Sequence, residues 1–272
     1  DGPEPEIRNN RIEKISFLKA FKAILTGLAV STFTPNRVGE FLGRVFSLQK
    51  SNPWKAIIIS ILCSMSQLMT TFLIGSIGVS VLIFRHYNLL PFNRTVWSLF
   101  VLFLLIVNVI LFSIYFNVGF ISKLLNRVLN PKWRKIKGYL KVFSFYSFSE
   151  LRNTLLMSIS RYIVFSFQFY FLLRFFDVPL SAGEASIIIP AIYFIIAAIP
   201  SFAIAEIGIR GTVAVGVIDY YLKNINAVEL NLQFNIIAST SLIWLINIAL
   251  PALVGNIFVL KTKFIKSPED NR

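Results

Sequence analysis

The stretch Ala56–Phe84, AIIISILCSMSQLMTTFLIGSIGVSVLIF, contains no Asp, Glu, Lys or Arg. A helix through it outruns the hydrocarbon core of a bilayer, which about 20 residues suffice to cross. Lipid offers backbone N–H and C=O groups no water partner, so a segment of this kind is helical. Val96–Phe120 and Leu230–Leu260 are equally free of charge. Working outward from these runs, the chain reads as an all-α polytopic integral membrane protein.

Composition agrees. The 272 residues are 56% hydrophobic and 15% charged, with a mean hydropathy of +0.70. Soluble domains carry nearer a quarter charged residues, so this chain has too little polar surface to cover a water-facing globule. One cysteine, Cys63, and one histidine, His86, exclude an internal disulfide and leave too few ligands for zinc or iron. No catalytic constellation stands out, so no cofactor, no metal and no enzymatic role are expected. The net charge of +14 does not point to nucleic acid. Its cations gather between apolar segments: Arg8 to Lys22, Lys123 to Arg152, and Lys261 to Lys266. That is how positive-inside topology and contact with anionic headgroups look.

Counting cations places the first basic segment, Ile121–Arg152 and the C-terminus in the cytoplasm. Four full spans follow: Lys55–Phe84 outward, Thr95–Gly119 inward, Leu151–Phe176 outward and Leu230–Leu260 inward. The remaining pieces must return to the side they left. Residues 15–48 open to the inside and 185–222 to the outside, each read as a re-entrant hairpin. Pro35–Leu48, the second arm of the first, is too short to cross, since about 14 residues give only about 21 Å of helix. Residues 120–150 read as an amphipathic basic linker on the cytoplasmic surface, with Trp133 and Tyr139 suited to a headgroup layer.

The hairpins share a pattern. TPNRVGEFLGR (Thr34–Arg44) and IPSFAIAEIGIR (Ile199–Arg210) each place a glutamate five or six residues after a proline, and an arginine four residues after the glutamate. Opposite openings with a shared tip are the mark of inverted-topology repeats with broken helices. One membrane domain, 1–272, is therefore expected to contain a first repeat (15–119), the linker (120–150), a second repeat (151–260) and a cytoplasmic tail (261–272). The second hairpin is preceded by a span and the first is not. A further N-terminal transmembrane helix is accordingly expected in the natural protein.

Of the thirteen acids, all but Glu40 and Glu206 sit in tails, loops or span ends. An ionisable group in hydrocarbon costs from about 3 to over 10 kcal/mol, so its presence points to a role. Arg44 and Arg210 lie at i+4 on the same face and offset part of that cost. The competing reading is a structural ion pair at each tip. Pro35 and Pro200 suit a first helical turn, with Thr34 and Ser201 as caps. Gly39 lies at the first tip. Helix N-termini with Arg37, Arg44 and Arg210 would form an anion site fit for a lipid phosphate. Arg161, deep in the third span, is expected to face inward toward Glu40 or Glu206. Gln67 and Gln168 are candidate contacts that equally suit interhelical hydrogen bonds, with Asn108 and Asn247 weaker ones.

Pro35, Arg37, Gly39, Glu40 and Arg44 resemble the early proline-led element, with its Arg, Gly-Glu and second Arg, of the membrane-embedded family related to the flippase region of lysylphosphatidylglycerol synthetase. Ser160–Gln168, SRYIVFSFQ, is similar to that family's arginine-bearing span. The resemblance runs from about Lys14 to Leu260. The second element departs, with Ser201–Ala205 in place of a glycine-rich turn. The resemblance implies lipid handling, most simply translocation across the bacterial cytoplasmic membrane, with membrane lipids of anionic or charged headgroup as partners. A homodimer is left open. The full synthetases carry a soluble aminoacyl-transfer domain; without it, synthesis of aminoacylated lipid is not expected. Alternatives are a component of envelope glycan or polyprenyl-phosphate-lipid assembly, and a non-transporting scaffold.

Overall fold

A computed structural model describes residues 16–32, 34, 39–46, 53–85, 94–117, 119, 146–200, 203–223 and 231–261. All regular structure among them is helical: α1 (Phe17–Ser31), α2 (Gly39–Phe46), α3 (Pro53–Arg85), α4 (Arg94–Phe116), α5 (Phe148–Phe175), α6 (Ala182–Ala198), α7 (Ala203–Lys223), α8 (Leu232–Trp244) and α9 (Leu250–Lys261). A π-helical turn, Leu245–Ala249, joins α8 to α9. Among the described residues, four helices are long and apolar enough to cross a membrane: α3, α4, α5 and the continuous α8–α9. These are the four expected spans.

Local chemistry sets the ends. α5 begins at Phe148, three residues before the expected span, because Ser147 and Glu150 form a capping box. The Ser147 hydroxyl accepts from the Glu150 N–H at 3.3 Å, and the Glu150 carboxylate accepts from the Ser147 N–H at 2.8 Å. This satisfies two helix-end donors reciprocally. The end of the expected linker is thus helical, while residues 120–145 lie outside the described residues. α5 stops at Asp177, which adopts φ 54°, a left-handed conformation that Asp tolerates better than most side chains. The Val178 N–H reaches back to the Leu173 carbonyl at 2.9 Å and the Asp177 N–H to that of Arg174 at 3.2 Å, a Schellman closure. A second capping box, Ser181 with Glu184, opens α6 at once. Val178 and Leu180 are fully buried between the two, so α5 and α6 are tightly joined.

The π turn has a covalent cause. Pro251 has no N–H to donate to the Asn247 carbonyl, and the ladder slips by one residue. The Leu250 N–H bonds to the Leu245 carbonyl instead.

Small residues decide which helices meet, since close backbone approach is what holds helices together in lipid. On α3, a Cβ at Gly75 would lie 2.6 Å from the Phe194 Cβ of α6, and one at Gly78 would lie 2.7 Å from the Ile187 carbonyl. On α2, a Cβ at Gly43 would lie 2.6 Å from the Gly27 Cα of α1. On α9, a Cβ at Gly255 would collide with the Leu25 carbonyl of α1. Contacts then run in a closed circuit, α1–α2–α3–α6–α7–α8–α9 and back to α1. α5 lies against α3, α6 and α8. α4 stands outside the circuit, and only 11% of its apolar window is buried, so most of its surface faces lipid.

The larger core cluster joins α3, α5, α6, α7 and α8 around Leu173, Ile188, Ile192, Ile218 and Ile236; a smaller one joins α3, α4 and α5 around Leu62, Tyr115 and Leu155. Polar side chains also tie helices together. Ser66 of α3 bonds Ser158 of α5 at 2.8 Å, Asn108 of α4 bonds Ser76 of α3 at 3.1 Å, and the Tyr115 hydroxyl donates to the Leu151 carbonyl at 3.0 Å. Asn108 thus makes the interhelical bond its position suggested.

Candidate functional site

Glu206 lies in the first turn of α7, six residues after Pro200, and is only 7% exposed. Arg210, one turn on, donates its Nε to Glu206 Oε1 at 2.9 Å, and its Nη2 closes on the same oxygen. The side chains are 9% and 22% exposed. A carboxylate so poorly solvated requires a charged partner, and the i+4 spacing supplies one on the same face. Its position near the helix start adds the favourable end of the α7 dipole.

Around this pair stand residues that sequence reasoning passed over. Tyr193 of α6 lies within electrostatic reach of Arg210. Its hydroxyl donates to the Phe165 carbonyl of α5 at 3.1 Å, and its ring meets Tyr162 edge-on with centroids 5.7 Å apart. Arg161, expected to face inward, is exposed on α5, with its guanidinium carbon 5.0 Å from the centroid of the Phe165 ring. A cation over an aromatic face recovers part of the cost of leaving water. Gln168 accepts from Asn247 of the π turn at 2.9 Å, an interhelical bond rather than an open contact. Gln67 is half-buried on α3, and its carbonyl accepts from Thr71.

The first tip is built differently. The Thr34 hydroxyl accepts from the Gly39 N–H at 2.8 Å, so it satisfies a donor at the start of α2, which is described from Gly39 rather than from the expected Pro35. A Cβ at Gly39 would lie 2.7 Å from that hydroxyl oxygen, so only glycine fits there. Glu40 follows in the first turn of α2, half-buried. Pro35, Arg37, Ser201 and the side chain of Arg44 lie outside the described residues. α2 packs on α1 and α3, and α7 on α6 and α8, so the two glutamates sit on opposite limbs of the circuit.

A polar cluster also closes the far end of the second hairpin, where three helices converge. The Tyr221 hydroxyl of α7 donates to Glu184 Oε1 at 3.0 Å, while Ser181 donates its N–H and hydroxyl to Glu184 Oε2 at 2.8 and 2.7 Å. Arg85, at the end of α3, acts on both Glu184 and Tyr221. Bonds from the Ser181 hydroxyl and backbone, then Tyr221 and Arg85, hold the Glu184 carboxyl below its ordinary range. A carboxyl lowered in the folded state stabilises at neutral pH, and that contribution is lost as pH falls through its folded value. Thermal unfolding in detergent between neutral pH and about pH 3 should show an acid-induced loss that Glu184→Gln flattens. Tyr221→Phe should cost about 1 kcal/mol; an unchanged acid limb in Glu184→Gln would remove this cluster as its source.

These features define a polytopic helical membrane protein with a charge pair buried in its second hairpin. Residues 11–232 match the family model described as lysylphosphatidylglycerol synthase TM region, and the chain belongs to that family. The membership connects it to membrane lipids. Neither the curated proteins nor the solved structures include a match to it.

Proposed function

We propose that the chain is a flippase-like transporter, moving a phospholipid or a charged or aminoacylated lipid across the cytoplasmic membrane through a mid-membrane Glu/Arg site. The observation that carries this reading is the buried Glu206–Arg210 pair at the start of α7. A headgroup phosphate arriving there competes with Glu206 for Arg210, and a headgroup ammonium competes with Arg210 for Glu206. Either exchange keeps both charges paired during passage.

The packing supports two inverted repeats. Exchanging α1, α2 and α3 for α6, α7 and α8–α9 maps the α3–α6 contact onto the α9–α1 contact, and the α2–α3 contact onto α7–α8. Both cross-contacts are made at glycines of a full span, Gly75 and Gly78 in one half and Gly255 in the other. α1 has 15 residues and α6 has 17, giving about 22 and 25 Å at 1.5 Å per residue. Both fall short of a hydrocarbon core of about 30 Å, in keeping with hairpins that dip and return.

The test is lipid translocation in vesicles reconstituted with the full-length protein, comparing wild type with Glu40→Gln and Glu206→Gln. Loss of movement with retained folding is the expected result. Unaltered lipid movement in both folded variants would sink the mechanism, and no movement by the folded wild type would favour a scaffold. The topology has its own check: cysteines placed at Asn224 and Lys137 should label from opposite sides of the membrane, with Asn224 outside.

A further inference from the structure

A groove of about 260 Å³ lies along the first half of α3. Ile61, Ser64, Met65 and Leu68 form its floor at i, i+3, i+4 and i+7, a single helical stripe. Phe41 of α2 and Leu111 of α4 form its walls. α2 and α4 each pack on α3 but make no extensive contact with one another, so among the described residues these two helices leave the space between them unclosed. Apart from Ser64 the lining is apolar, and two of its residues, Met65 and Met69, are flexible thioethers able to follow an irregular occupant.

We infer that this groove holds one acyl chain of a membrane lipid, seated so that its headgroup lies beside Glu40. Three observations converge on that occupant. The floor and the α4 wall belong to helices that cross the membrane, so the phase outside the groove is hydrocarbon. The lining offers one hydroxyl, and a water needs two to four polar partners to settle in such a space. The α2 wall is Phe41, the chain neighbour of Glu40, which puts the apolar slot within one residue of the charged tip. On the topology proposed above, this part of α3 lies in the cytoplasmic half of the bilayer, so the chain belongs to a lipid of the inner leaflet. That placement rests on the transporter reading; occupancy of the groove does not.

The experiment is lipid retention. The full-length protein is purified in detergent from vesicles of phosphatidylethanolamine and phosphatidylglycerol, and the bound lipid is quantified by native mass spectrometry. Leu68→Trp fills the groove, Leu68→Gln makes its floor polar, and Leu105→Trp adds the same bulk on the exposed face of α4. Loss of a groove's worth of dispersion contacts should lower retained lipid about fivefold in both Leu68 variants, with Leu105→Trp like wild type. Leu68 is itself exposed, so the polar variant keeps the comparison usable where the tryptophan perturbs folding. Equal retention in wild type and Leu68→Gln, or equal loss in Leu105→Trp, overturns the assignment. Retention that depends on Leu68 without any translocation would keep the groove and discard the transporter.

Discussion

Gly78→Leu should unfold the α3–α6 interface, and Gly255→Leu the α9–α1 interface, while Gly216→Ala leaves thermal stability near that of wild type. A Cβ at Gly78 would meet the Ile187 carbonyl at 2.7 Å, a Pro190 side-chain atom at 2.9 Å and the Ala191 nitrogen at 3.1 Å. Two of these are backbone atoms within α6, which can yield only by moving the helix. At Gly255 the obstacle is again backbone, the Leu25 carbonyl of α1. Overpacking a close-packed interior costs about 1–3 kcal/mol where side chains can adjust. A leucine against immovable backbone should exceed that range. Gly216 has no neighbouring atom within 4 Å of a built Cβ, and helix propensity alone favours alanine there. Thermal unfolding in detergent, followed by helical circular dichroism, reads all three. A tolerated leucine at Gly78 would mean that the halves do not meet through this surface.

The second large effect concerns the buried pair. Removing one partner of a buried ion pair costs about 3–5 kcal/mol, because the other is left charged and poorly solvated. Glu206→Leu and Arg210→Met should each be destabilising by that order, whereas the double variant should recover most of the loss. The three variants then separate structure from function. If the pair only holds the hairpin together, the folded double variant moves lipid as wild type does. If the pair exchanges partners with a headgroup, the double variant is stable and inactive. Unfolding and vesicle translocation on the same preparations decide between the two, and a stable, active double variant would dismiss the exchange mechanism.

How much of this was legible in the sequence differs by element. The spans were, because an uncharged apolar run longer than the bilayer leaves the chain no other structure. The buried carboxylate was also legible, since Glu206 stands alone in apolar sequence with an arginine one turn away. The start of α5 was written in Ser147-x-x-Glu150, a capping signal hidden by the basic, amphipathic residues before it. The π turn had a cue in Pro251, although a proline in a span announces some defect without saying which. The convergence of Arg85, Glu184 and Tyr221 had no local sign: three helix ends meet only once α3, α6 and α7 are packed. Arg161 shows the same limit, since its charge was visible while the face of α5 that carries it depends on how that helix sits between α6 and α8.

The contact at Gly255 bears on how the protein is made. A chain entering the membrane from its N-terminus delivers α1 well before α9, and these two complete the circuit of helices. Pairings between distant parts of a chain form slowly, because the intervening segment must first be ordered. Until α9 is released, the face of α1 at Leu25 and Ala29 waits unclosed. Closure of the bundle therefore waits on α9, and a nascent chain stalled before residue 250 would present α1 to whatever insertion machinery or chaperone is at hand.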